Sequence, residues 1–449
     1  MTKSFKGNKD DEVVKGNEGY EPKCRPDSWW SWLVCAASTM SVVIISGISY
    51  SFGLMLPPLM ENFDESRQVT AWIGSLYMAT GCLFSPFGSY INDRFSYRFT
   101  AILGSLSGII GFFLASLSSK LWMMYLTFGV LSGFGHTMIY NSSYLMILQY
   151  FVKRRSVAVG IVASAPAIGM FVMTQITQSL LNTFGWQGAL RGFAILHFVC
   201  GLCSTVFVPL DNMKEGNNND NTVGKIRQEE TERKKSSLCS NHSFLIMLTS
   251  FVVVQFSYFV PTVHIVKHCK QELHIPGNKA SMLFTYMAIT SFISRHLFCK
   301  LGDYRYFNRF HLYQGGMTVV GLCVLCLPAA RSFESVVAIF IIFGLMEGAM
   351  NGQFSLLILE CSGKHKVNQA WGYIMFFSGV SVGLGSPMAG LMADTLGSYT
   401  VTFYTSGAIL ITGASITSLM AFVKQHPEES DQTQSYDEEL LVKEKVTVL

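Results

Sequence analysis

Apolar runs long enough to cross a bilayer recur along the whole chain, near residues 30–55, 70–92, 98–118, 121–150, 156–180, 187–210, 243–268, 281–301, 309–330, 333–361, 367–393 and 399–423. At ~1.5 Å of rise per residue, about twenty such residues span a ~30 Å hydrocarbon core. The prediction is an all-α membrane protein of twelve transmembrane helices, with boundaries good to a few residues. Composition agrees, since 50% of the 449 residues are hydrophobic and 14% charged, where a soluble domain carries about 25% charge. The net charge of +4 does not signal a nucleic-acid partner, because the basic residues sit in loops between apolar spans.

Twelve spans put both termini on one face. Of the 33 lysines and arginines, 25 lie in the N-terminal tail, the even-numbered loops and the C-terminal tail; six lie in odd-numbered loops, and Arg191 and Arg295 are inside spans. The positive-inside rule therefore predicts that both termini are cytoplasmic. Residues 1–26 are polar and contain no apolar signal core, so the first span is expected to serve as an uncleaved signal. The polar stretch 211–241, rich in Asn and Lys, has nothing to bury and reads as a linker. The expected organisation is a tail at 1–26, a six-helix bundle at 27–210, the linker, a second bundle at 242–424 and a tail at 425–449.

The two halves echo each other. YLMILQYF at 144–151 is similar to SLLILECS at 355–362, and Asp93 after span 2 matches Asp303 after span 8 at an offset of 210. Parallel six-span repeats of this kind resemble the major-facilitator fold.

Polar residues inside the spans mark candidate sites. Arg295 lies well inside span 8, where a charge costs ~2.5–3.5 kcal/mol on the lenient insertion scale and so faces a partner or a wet cavity. Tyr286, Thr290 and Ser294, with Ser291 and Arg295 one step round, form a polar stripe on that helix. In span 10, Gly344, Gly348 and Gly352 recur every four residues beside Glu347, Asn351 and Ser355. The glycines permit close helix approach, and the polar row would line a cavity. Arg295 sits ~12 Å and Glu347 ~20 Å from the inner ends of their spans. Two long side chains and helix tilt could close that difference, so an Arg295–Glu347 pair is expected. His264 follows the helix-breaking Pro261 near the outer mouth. His136 could face the cavity with Tyr140 and Asn141, while Arg191 reads as a snorkelling arginine. The Cys200/Cys203 and Cys323/Cys326 pairs have CxxC spacing, yet lie in apolar helices and read as packing residues rather than a metal or redox site. Cys269 is expected in an outer loop. No cofactor is implied, and no nucleophile, base and oxyanion arrangement suggests an enzyme.

DSWWSW at Asp27–Trp32, at the start of span 1, and YFVKRRSVAVGIVASAPAIG at Tyr150–Gly169, bridging spans 4 and 5, resemble the two signatures of the monocarboxylate transporter family. The Gly185-Trp186 turn before span 6 is similar too, and the likeness runs from about residue 26 to 424. The resemblance implies a multi-pass plasma-membrane carrier of small organic acids or related molecules, working by alternating access. The proton-coupled lactate carriers of that family have a lysine just after a Ser-Tyr-x-Phe segment and an aspartate four residues before the span-8 arginine. Here Ser49-Tyr50-Ser51-Phe52 leads to Leu54 at the lysine position, and Ser291 stands at the aspartate position.

YFVPTVHIV at 258–266 with His264, the segment Thr290–Arg295, and Leu345-Met346-Glu347-Gly348 are similar to the aromatic amino acid and iodothyronine carriers. That likeness implies a proton-independent facilitative carrier; with the polar residues read from the spans, the expected substrate-binding set is Arg295, Glu347, His264, Tyr50, Asn141, Asn351 and Ser291. Asp93, Arg94 and Arg98 resemble the superfamily's gating motif. A proton-coupled lactate or pyruvate symporter is the alternative, and a non-transporting receptor or scaffold the second. The expected partners are a carboxylate substrate, membrane lipid and a single-span immunoglobulin-type ancillary glycoprotein.

Overall fold

The computed structural model describes residues 27–208, 238, 241–304, 306–364, 366–396 and 398–421. The tails expected at 1–26 and 425–449, and all of the linker at 211–241 except Leu238 and Asn241, lie outside the described residues. The described chain is helical, with no strand: α1 Trp29–Phe63, α2 Arg67–Leu83, α3 Ser85–Arg94, α4 Tyr97–Ser116, α5 Leu121–Met124, α6 Gly133–Tyr150, α7 Arg155–Ser204, α8 His242–Tyr258, α9 Val260–Gln271, α10 Gly277–Leu301, α11 Arg309–Cys326, α12 Phe333–Ser362, α13 Val367–Leu396 and α14 Tyr399–Thr417.

Eight helical segments among the described residues are long and apolar enough to cross a membrane by themselves. The remaining expected spans fall on interrupted or more polar pieces, and each interruption has a physical cause. Phe84, just ahead of Pro86, separates α2 from α3. Gly185, at φ 66° and ψ −174°, folds α7 back at its middle, a left-handed geometry that glycine adopts without a Cβ penalty. Pro261 lacks an N–H, and the helix breaks at Phe259, which leaves Pro261 in the first turn of α9 where no N–H is needed. A π-helical stretch, Tyr125–Ser132, joins α5 to α6. Its loosened carbonyls are claimed by neighbours: Thr80 Oγ1 donates to Gly129 O at 2.8 Å and Ser107 Oγ to Leu131 O at 2.7 Å.

Helices α1–α7 lie in the first half of the chain and α8–α14 in the second. One buried apolar cluster, centred on Ile45, Tyr77, Phe112 and Phe193, belongs to the first half alone. A second contains residues of both halves, Tyr144 and Phe151 together with Phe354 and Trp371. The halves therefore share a core at the end of the bundle where the linker begins and ends. There α13 lies against α2 and α3, with Gly372 over Pro86 and Ser89 and Gly379 over Cys82. Gly160 of α7 faces His296 and Cys299 of α10. Toward the opposite end, α1 and the turn after it line an open depression of about 600 Å³ through Gly53, Leu56, Pro57, Met60, Glu61 and Glu65. One expectation is corrected here. Cys269 is not in an exposed loop, because α9 runs on to Gln271 and buries the thiol completely.

Candidate functional site

The glycine row of α12 determines how closely α10 can lie. A Cβ on Gly344 would collide with Thr290 Oγ1, one on Gly348 with Ser291 O, and one on Gly352 would fall 2.8 Å from Cys299 Sγ. Only glycine allows this contact, which brings the polar stripes of the two helices together. Arg295 Nη2 lies 2.9 Å from Glu347 Oε1, with the two side chains 12% and 5% exposed.

The carboxylate is held by more than the arginine. Tyr258 Oη donates to Oε1 at 2.8 Å, Asn351 Nδ2 donates to the same oxygen at 2.5 Å, and the Ser291 hydroxyl donates to Oε2. Four donors from α8, α10 and α12 thus surround one carboxylate, which satisfies a charge removed from water. The guanidinium is served less well. Its Nη1 donates across to the Ala163 carbonyl of α7, in the other half, while its Nε has no hydrogen-bond partner among the described residues.

Aromatic rings face the pair from the first half. Tyr50 of α1, about half exposed, and Tyr144 of α6 are within electrostatic reach of Arg295. Tyr140 packs on Tyr144 with centroids 4.6 Å apart, and His136 stacks on Tyr140 while its Nδ1 lies 3.2 Å from Tyr77 Oη. Chemically, the arrangement offers a cation with an unused donor, a counter-charge held in place, and flat apolar surfaces. No group of metal-ligating side chains occurs among the described residues.

The other sequence candidates lie elsewhere. His264 packs at a tilt against Tyr399, with centroids 5.5 Å apart, beside Gly390 in the second half. Asn141 is buried and fully engaged: its Nδ2 donates to Ser85 O at 3.0 Å, and its Oδ1 accepts from Ser85 Oγ at 3.2 Å and from Trp371 Nε1 at 3.1 Å. It ties α6, the start of α3 and α13 together. Arg94 and Arg98 are exposed at the linker end, whereas Asp93 accepts from Asn368 Nδ2 at 2.5 Å.

The Major Facilitator Superfamily model matches residues 38–270 and 265–446. The chain belongs to the Major Facilitator Superfamily. Monocarboxylate transporter 10 of Rattus norvegicus is 27% identical over 423 residues, covering 92% of this chain and 82% of the relative. Monocarboxylate transporter 12 of Xenopus laevis is 28% identical over 407 residues, covering 87% and 88%, and monocarboxylate transporter 13 of Rattus norvegicus is 27% identical over 391 residues, covering 87% and 89%. This facilitator is accordingly a multi-pass membrane transporter of a small molecule and not an enzyme.

In the facilitator the two halves are latched twice at the linker end. Asp303 Oδ1, after α10, accepts from Ser156 Oγ of α7 at 2.5 Å and from Arg309 Nη2 at 2.7 Å, and Arg309 Nη1 reaches Glu360 at 2.6 Å. The equivalent Asp93 holds Asn368 of α13, whose Oδ1 accepts from Tyr97 Oη at 2.9 Å, and Gln149 Nε2 donates to that hydroxyl at 2.5 Å. In each latch a neutral side chain of one half donates to a carboxylate of the other, Ser156 to Asp303 and Asn368 to Asp93. Ser156, Asn368, Tyr258 and Trp371 were not singled out by the sequence. The repeat offset that pairs Asp93 with Asp303, and the likeness of Asp93 to a gating motif, pointed toward the latches.

Proposed function

We propose that this facilitator carries a small carboxylate-bearing solute that brings its own positive charge, of the aromatic amino acid or iodothyronine kind. It would do so at the plasma membrane, by alternating access and without an obligatory proton. The carrying observation is the Arg295–Glu347 pair at the meeting of the halves, with Arg295 reaching across to Ala163. The pair is neutral as a unit. A carboxylate arriving alone would leave the site with an uncompensated negative charge, whereas a zwitterion would not. Its carboxylate would take a forked, charge-assisted bond from Arg295, displacing the Ala163 carbonyl, while its ammonium meets the Glu347 side.

In this reading Ser291, Asn351 and Tyr258 hold Glu347, Tyr50 lines the substrate's path, and His264 contacts the outer end of an elongated solute. Asn141 belongs to the closure of the halves, as do Asp93, Arg94 and Arg98. The twelve-span topology, bundles at 27–210 and 242–424 and cytoplasmic termini are part of the proposal. So is delivery to the surface with a single-span immunoglobulin-type glycoprotein. Proton independence is supported by Leu54 and by Ser291, which donates a hydrogen bond to Glu347 and has no carboxyl to titrate.

Uptake by the purified chain in liposomes tests this. L-phenylalanine or L-thyroxine should enter, and Arg295→Gln should stop it. Lactate uptake accompanied by proton influx would favour the proton-coupled symporter instead, and no carboxylate uptake at all would favour a receptor or scaffold.

A further inference from the structure

The segment before α1 makes an unusual contact that none of the roles above uses. Asp27 sits at φ 57°, in the left-handed region that Asp, Asn and Gly tolerate best. Its carboxylate accepts three backbone N–H bonds from the turn that opens α7. Val152 N and Lys153 N donate to Oδ2 at 3.1 and 2.8 Å, and Arg154 N donates to Oδ1 at 3.0 Å. The Asp27 N–H donates in turn to Tyr150 O at 3.1 Å, and Trp32 packs edge-on against Phe151 at 5.1 Å. A carboxylate 125 residues away in sequence therefore serves as the anion for the nest of N–H groups at the start of α7, where the helix dipole also favours negative charge.

Beyond this turn, α7 presents its contact surface to the other half. Two residues on, Ser156 donates to Asp303 of that half. One and two turns further, Gly160 lies against Cys299, the Ala163 carbonyl takes Arg295, and Ser164 Oγ is 3.1 Å from His296 Nε2. Every polar contact from α7 to α10 thus depends on the height and rotation at which α7 begins. We propose that Asp27 is a positioning residue for closure at the linker end: its clamp sets the register of α7, and through Ser156 it keeps the halves shut there. This holds whichever solute is carried.

Cys299 supplies the readout. Its thiol is fully buried at the α7–α10–α12 junction, 3.1 Å from Gly352 O, and becomes reachable only if α7 separates from α10. The purified full-length chain would be treated with N-ethylmaleimide and alkylation of the Cys299 peptide followed by mass spectrometry, with melting temperature measured in parallel. Asp27→Gly keeps the left-handed backbone without strain, so it removes the carboxylate alone. It should speed alkylation of Cys299 roughly ten-fold, equivalent to about 1.4 kcal/mol of lost closure. Asp27→Asn, which keeps one acceptor oxygen and the same backbone preference, should fall between Asp27→Gly and the parent chain, and it serves alone if Asp27→Gly does not fold. Ser156→Ala should also speed alkylation, and adding Asp27→Gly to it should increase the rate by much less than ten-fold, because both act on one contact. A lowered melting temperature with Cys299 alkylation unchanged in both Asp27 variants would make Asp27 a fold element only and overturn the proposal. Full multiplication of the two effects would show that Asp27 does not act through Ser156.

Discussion

Replacing the two members of the buried pair should have unequal consequences. Arg295→Ala leaves Glu347 with three donors, from Tyr258, Asn351 and Ser291, so its charge stays solvated by protein. Glu347→Ala leaves a guanidinium whose remaining partner is the Ala163 carbonyl, and it also takes the acceptor from three buried donors. Removing one partner of a buried pair typically costs ~3–5 kcal/mol, and an orphaned donor about 1–3 kcal/mol. Glu347→Ala should therefore fall at the upper end of that range or beyond. Arg295→Ala should fall at or just below its lower end, about 2–3 kcal/mol, since three hydrogen bonds survive. The double variant should cost less than the sum, with a coupling of about 1–3 kcal/mol. Denaturant unfolding of the purified protein in one detergent, monitored by intrinsic tryptophan fluorescence, gives all four corners of the cycle. A coupling within ~0.5 kcal/mol of zero would mean independent sites. Equal costs for the two single variants would refute the argument from the four-donor cage.

Other parts of the molecule give three further expected outcomes. Burial alone would raise the Glu272 carboxyl, but the Tyr399 N–H, His268 and the Ser398 hydroxyl outweigh it and hold the group below its ordinary value near 4.5. Its contribution is therefore present above that value and lost as pH falls through the lowered folded value, so Glu272→Gln should flatten the acid limb of a melting-temperature profile; an unchanged limb would count against the α9–α14 tie. For topology, Glu334→Cys, at an exposed position, should react with an impermeant maleimide on intact cells, and Tyr306→Cys, at a 94% exposed position, only after permeabilisation; the reverse pattern would invert the orientation. Uptake should change little between pH 6 and pH 7.5, because Ser291 and Leu54 stand where the proton-coupled branch has ionisable groups; acid-stimulated uptake with proton influx would contradict that.

The helices were legible because lipid leaves the backbone few choices: a long apolar run must close its own hydrogen bonds. Breaks at Pro261 and Gly185 could be read from the residue itself, since each carries its own backbone restriction. The π stretch at Tyr125–Ser132 could not, because the hydroxyls of Thr80 and Ser107 that accommodate it come from other helices. The Arg295–Glu347 contact was reachable from sequence because two buried charges need partners and a glycine row names the face that comes close. Tyr258 was not, since a tyrosine in an apolar run looks like any packing residue until its hydroxyl is seen on Glu347. Asn141, an in-span amide that reads as a cavity ligand, has its polar atoms taken up by Ser85 and Trp371 in this structure, partners that the sequence does not name. Cys269 was misplaced because apolarity fades before the helix does.

The central claim is that Arg295 holds the carboxylate of the transported solute, and one ligand–protein cycle tests it most directly. Inhibition of uptake by L-phenylalanine and by L-phenylalaninamide, which differ at the carboxylate, would be compared in the parent chain and in Arg295→Gln, each assayed with its best transported tracer. A charge-assisted hydrogen bond is worth about 1.5–3 kcal/mol, so the parent chain should prefer the acid over the amide by roughly ten- to a hundred-and-fifty-fold. Arg295→Gln should bring that ratio close to one. A variant that binds more weakly but keeps the same preference for the acid would show that the carboxylate is read by another residue.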